Sequence, residues 1–109
     1  MKHLSRADEI LMLSIACLGK KAYSTSILKE MAGRGGKKVT VGSLWVSLDQ
    51  LTEKGYVRKR QAEGESRHGG RPRIYYRLTP KGTRMLSRMR EFQKDLWKGV
   101  PNLNTYDFG

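Results

Sequence analysis

The sequence predicts a mainly helical α+β domain, in which three helices are followed by a β-hairpin and a long fourth helix. Three observations predict it. Apolar residues recur at helical spacing in three stretches before Gly55. Two β-branched and aromatic runs then flank a Gly-rich basic turn. Finally, Thr79-Pro80 opens a segment in which Met85, Met89, Phe92 and Leu96 recur at spacings of 4, 3 and 4.

The first helix opens at Ser5-Arg6-Ala7-Asp8, where the serine hydroxyl can cap free amides and Asp8 meets the helix dipole. Ile10, Leu11, Leu13, Ile15, Cys17 and Leu18 cover most of its circumference, so it is expected to be nearly surrounded, with Cys17 a small buried hydrophobe. Gly19 stops it. After a short link through Tyr23, Ser24 or Thr25 is the expected cap of a second helix with an Ile27, Leu28, Met31 stripe. A basic loop, Gly33 to Lys38, follows. Thr40 caps a third helix from about Val41 to Lys54, with Leu44, Leu48 and Leu51 at i, i+4 and i+7 as its buried stripe. Gly55 ends it.

Tyr56–Gln61 and Arg73–Leu78 read as strands around the turn Gly64–Pro72. Tyr75 and Tyr76 point to opposite faces, so one is expected in the core. Threonine at the cap and proline at the first position then start a helix of about nineteen residues, roughly 28 Å long. The tail, 99–109, has no period, though Leu103, Tyr106 and Phe108 offer it apolar anchors.

Length and composition exclude several classes. At 109 residues the chain is about one domain. The longest near-continuous apolar run, Ile10–Leu18, is half of a membrane span, and Asp8 and Glu9 interrupt any signal-peptide pattern. One cysteine allows no internal disulfide and fits a reducing cytoplasm. His68 has no ligand-type neighbour at metal spacing and reads as a solvated loop residue. With two histidines and no Gly-rich phosphate loop before Lys-Ser/Thr, no nucleophile–base pair or nucleotide cradle is evident, so neither an enzyme nor a cofactor is expected.

Lys and Arg number 22 against 10 Asp and Glu, a net charge of +12 that calls for a polyanionic partner. Its distribution is uneven. Residues 1–40 carry +5, 54–77 carry +6 and 78–109 carry +3, whereas 41–53, the third helix, carries −2. Three helices followed by a hairpin is the winged helix-turn-helix order, in which the third helix enters a major groove and the hairpin flanks it.

Three phrases sharpen this. Gly42-Ser43-Leu44-Trp45, then Leu48-Asp49-Gln50-Leu51-Thr52-Glu53-Lys54-Gly55-Tyr56-Val57, then Gly69-Gly70-Arg71-Pro72-Arg73-Ile74-Tyr75-Tyr76-Arg77-Leu78-Thr79-Pro80-Lys81-Gly82 resemble the PadR family of bacterial winged-helix transcriptional regulators. The resemblance runs from about Leu4 to Phe92. It implies a homodimeric repressor of double-stranded DNA that dimerises through its last helix, often with the first. The single helix after the wing resembles the short-form members, many of which respond to a small apolar or aromatic effector near the dimer interface. Two positions depart from the family: Trp45 stands where Tyr is usual, and Asp49 where Lys or Arg is usual.

The expected organisation is a DNA-binding domain over 1–78, a dimerisation helix over 79–98 packed on the same domain, and a tail over 99–109. Expected DNA contacts fall in three groups. Lys37 and Lys38 precede the third helix and reach phosphate. Thr40, Gly42, Ser43, Trp45, Ser47 and Gln50 lie on the helix side opposite the leucines, where short polar groups reach base edges. Arg67, Arg71 and Arg73 on the wing suit phosphate or a narrow minor groove. Arg58 and Arg60 fit contact or plain solvation equally. Met85, Met89, Phe92 and Leu96 are the expected dimer face, with Phe92 and Trp97 candidates for an effector pocket. The competing reading is a protein-interaction or architectural nucleic-acid-binding module without operator specificity, which the acidic third helix favours.

Overall fold

The computed structural model describes residues 4–35, 38–61 and 73–109. The order is α1 (Arg6–Leu18), a 3-10 turn (Gly19–Lys21), α2 (Ser24–Gly33), α3 (Val41–Glu53), β1 (Val57–Gln61), β2 (Ile74–Leu78) and α4 (Pro80–Leu96), with a 3-10 turn Leu103–Thr105 in the tail. The fold is the winged helix, mainly helical with one antiparallel hairpin.

Local chemistry sets the helix starts. Ser5 Oγ accepts from the Asp8 amide at 3.1 Å, Thr40 Oγ1 from Ser43 at 3.1 Å and Thr79 Oγ1 from Gly82 at 3.0 Å. Helix α2 begins differently from the expected Ser24 or Thr25 cap. Tyr23 is the cap residue, and Ser26 Oγ accepts from its amide at 3.0 Å while donating to the Lys21 carbonyl at 2.6 Å. The serine three residues in, not the one at the start, organises this end.

The core forms where four elements meet. Leu11, Met12 and Ile15 of α1, Ile27 and Met31 of α2, Leu44, Leu48 and Leu51 of α3, and Val57 and Tyr76 of the hairpin are buried together. Helix α1 is therefore less enclosed than its composition suggests. Leu13 is 39% exposed and Cys17 is exposed, because i, i+4 spacing puts them together on the face turned from Leu11 and Ile15. Cys17 Sγ instead receives an Arg34 Nη2 contact at 2.7 Å. The small buried residue is Ser14, whose hydroxyl donates to the Ile10 carbonyl at 2.8 Å.

The strands pair with Val57 opposite Leu78, Lys59 opposite Tyr76 and Gln61 opposite Ile74 on the inner face. Tyr76 is the tyrosine in the core; Tyr75 lies on the outer face beside Arg58, Arg60 and Arg77. The link before α2 adds a third rung: the Tyr76 amide donates to Ala22 O at 2.8 Å, and Tyr23 bridges to Tyr75.

Thr79 welds the hairpin to α4. Besides capping, its hydroxyl donates to the carbonyl of Gly55, a residue at φ 80° where a side chain would be strained. Thr79→Ala removes both bonds, so a loss of about 1–2 kcal/mol in a urea melt is expected.

Beyond that weld the chain thins out. Met89 is the last buried residue, and every residue from Arg90 to Gly109 is exposed. The radius of gyration is 17.1 Å, against about 13 Å for a compact chain near this length. Among the described residues the tail joins no core: Leu103, Tyr106 and Phe108 are all exposed, and the Tyr106 and Phe108 rings meet at 5.2 Å.

Candidate nucleic-acid interface

With its three leucines turned inward, α3 presents Val41, Gly42, Ser43, Trp45, Val46, Asp49 and Gln50 to solvent, and Ser47 is half-buried. Thr40 is exposed but its Oγ1 is engaged in capping. The helix carries Asp49 and Glu53 and no cation. Lys38 is exposed just before it. Lys37, Arg67, His68 and Arg71 lie outside the described residues.

The hairpin supplies the positive charge. On its outer face Arg58 stands directly opposite Arg77, a like-charge pair that costs stability unless an anion relieves it. Next along, Arg60 lies 5.6 Å over the Tyr75 ring, Tyr75 meets Tyr23 edge to face at 5.8 Å, and Arg73 stacks 4.2 Å over Tyr23. This Arg–Tyr–Tyr–Arg ladder runs from the wing to the start of α2. Each cation is attracted by the negative face of its ring, which restrains both partners.

The ladder is the part that sequence reasoning missed. By sequence Tyr23 falls in the link before α2, and Arg60 fits contact or plain solvation equally. The available signal was a tyrosine immediately before a Ser-Thr-Ser helix start, with a second tyrosine, Tyr75, on β2.

Between the ladder and α3 lies a cleft of about 470 Å³ walled by Tyr23, Trp45, Arg73 and Tyr76 among others. The Tyr76 side chain is 1% exposed, and its hydroxyl has no hydrogen-bond partner among the described residues. Burial, then the negative charge of Asp49, raises its pKa above the ordinary tyrosine value, so the phenol stays neutral. A buried unsatisfied hydroxyl costs about 1–3 kcal/mol.

At the opposite end, a second cleft of about 640 Å³ separates α1 from α4, lined by Arg6, Glu9, Leu13, Leu86 and Trp97 among others. On α4, Met85 is half-buried, Met89 is 9% exposed within the protomer, and Phe92 and Leu96 are 46% and 61% exposed. Among the described residues no cluster of three or more His, Cys, Asp or Glu is placed to hold a metal, and no helix is long and apolar enough to cross a membrane.

A cation-free helix face flanked by a cationic hairpin on a winged-helix frame fits a DNA-binding regulator. Comparison with known proteins makes this specific. The PadR-like family of transcriptional regulators matches residues 12–88, and the chain belongs to that family. It is a DNA-binding transcriptional regulator, not an enzyme. Among solved structures, it resembles a PadR-like transcription factor from Bacteroides fragilis at 28% identity, covering 85% of this chain and 84% of that one with a TM-score of 0.69. A PadR family regulator from Eggerthella lenta matches at 26% identity, 90% and 83% coverage, and a TM-score of 0.66. Bordetella bronchiseptica BpsR, whose DNA binding is regulated by 6-hydroxynicotinic acid, shares the fold at 14% identity, 93% and 70% coverage, and a TM-score of 0.67. Among curated protein sequences, none matches the chain.

Proposed function

We propose that the protein is a sequence-specific repressor that binds a pseudo-palindromic operator as a homodimer. The observation that carries this is the division of charge: the exposed face of α3 offers Ser43, Gln50 and Trp45 and no cation, while the wing beside it holds the Arg–Tyr ladder. Phosphate contacts give affinity and position; base contacts give sequence preference. In this reading Lys37, Lys38, Arg67, Arg71 and Arg73 hold phosphates or a narrow minor groove. Thr40, Gly42, Ser43, Trp45, Ser47 and Gln50 approach bases and the adjoining backbone.

Residues 79–98 would join two copies through Met85, Phe92 and Leu96, braced from behind by Met89. Two symmetric recognition helices then set the half-site spacing. The α1–α4 cleft beside Trp97 suits a small aromatic or apolar effector that relieves repression, a mode of control for which BpsR, as a protein of the same fold, offers a precedent.

A second reading rests on Asp49 and Glu53. An acidic, Arg-free α3 also suits a protein-interaction or architectural module that binds nucleic acid without an operator. Selection from random duplexes separates the two. The repressor reading expects an enriched two-fold-symmetric site, bound about a thousandfold more tightly than its shuffled version at physiological salt. Equal competition by the shuffled duplex would sink it.

A further inference from the structure

Val46 stands at the middle of the outward face of α3. It lies two residues after Leu44 and two before Leu48, both buried, so helical geometry points it away from the core. It is 57% exposed. Gly42, Asp49 and Glu53, at i−4, i+3 and i+7, share this face. Within the protomer nothing accounts for a valine here. Valine is a mediocre helix former with a stiff, branched side chain, and Val46 is outside the hydrophobic core. Single exposed valines are ordinary on protein surfaces. This one, however, centres the helix that a winged-helix regulator lays in the major groove.

The base edges of that groove offer donors, acceptors and, at thymine alone, a methyl group. Helix α3 carries no Lys or Arg, so it cannot make the paired contact to guanine O6 and N7. Asp49 and Glu53 only accept, and those two guanine acceptors offer them nothing. Gly42 has no side chain, and the place a Cβ would take is open space, so a partner can come close beside Val46. We propose that Val46 packs its two γ-methyl groups on the C5-methyl of a thymine, one in each half-site. The proposal rests on the repressor reading for the placement of α3 in the groove, and it adds Val46 to the contacts of that reading. What is recognised is the methyl group and not the hydrogen-bonding edge, so thymine is told from uracil.

The test measures binding of the full-length protein, by fluorescence anisotropy, to a duplex of alternating dA and dT and to its counterpart with dU for every dT. The two duplexes present the same hydrogen-bonding groups and differ in the C5-methyl. The wild type is expected to bind the dT duplex about fourfold more tightly per protomer, the worth of one buried methyl. Val46→Ala should abolish that preference by weakening the dT complex alone. Its circular dichroism and heat stability should hold, since alanine is the better helix former at an exposed position. Lys38→Gln should weaken both complexes alike and keep the ratio, as a phosphate contact would. Equal binding of the two duplexes by the wild type overturns the proposal. So does a Val46→Ala variant that keeps the preference, or one that weakens both complexes alike. Should that variant fail to fold, isotope-filtered NMR of the wild-type complex decides: contacts between Val46 and thymine methyl protons are expected, and their absence at saturation overturns the proposal. No operator enters this test, so the two readings fail separately. Selection that enriches no two-fold-symmetric site would sink the repressor reading and leave the methyl preference standing.

Discussion

Gly82→Ala is expected to destabilise the protein by about 3 kcal/mol or more, a large share of a total domain stability of roughly 5–15 kcal/mol. The usual sign is the reverse: glycine inside a helix costs about 1 kcal/mol relative to alanine. Here a Cβ would stand 2.1 Å from the Tyr56 carbonyl oxygen, 3.0 Å from its carbon and 3.3 Å from Met12 Cε. The methionine can yield, but the carbonyl cannot. Tyr56 O accepts from the Thr79 amide at 3.0 Å, and the Tyr56 amide is itself bonded to Leu51 O at 3.0 Å. Relieving the clash means lifting α4 from the hairpin and breaking the Thr79 weld. Chemical denaturation followed by circular dichroism measures this, and a change under 1 kcal/mol would show that α4 is not seated on the Tyr56 backbone.

The second large effect concerns assembly. Phe92→Glu combined with Leu96→Glu is expected to give a folded monomer whose affinity for a two-fold-symmetric operator falls by about a hundredfold or more. Both side chains are exposed in the protomer, so their loss leaves its core intact and the circular dichroism spectrum unchanged. Burying a Phe or Leu against a partner is worth about 1.5–3 kcal/mol each. The double variant would replace those gains on both copies with four carboxylates. Light scattering after gel filtration reads the mass. A variant that stays dimeric would place the interface elsewhere, with the α1–α4 cleft the next surface to alter.

Much of the fold was legible because local and global signals agree. Ser5, Thr40 and Thr79 are caps by residue type, and each proves to be one by hydrogen bond. The Leu44, Leu48, Leu51 stripe has one possible periodicity. Legibility failed where the deciding partner is remote in sequence. Cys17 and Leu13 sit in an apolar run, yet their burial depended on which face of α1 the hairpin and α2 would cover. Tyr23 looked like linker because its significance comes from Tyr75 and Arg73, some fifty residues away. The tail had apolar residues but no complementary surface on the protomer. For the site, sequence showed that cations flank the third helix rather than lie on it, but nothing local linked them through stacked rings.

The central claim is that α3 supplies the sequence preference while the basic flanks supply the affinity. Converting Ser43, Ser47 and Gln50 together to alanine tests it most directly. The three are surface or half-buried positions on a helix with its own leucine stripe, so the fold should survive. Binding is measured by fluorescence anisotropy on the selected and shuffled duplexes over a range of salt. The prediction is that the specificity ratio falls from about a thousand towards unity, while shuffled-duplex affinity and its salt dependence are unchanged. A variant that keeps its ratio would contradict the account and move sequence readout off α3.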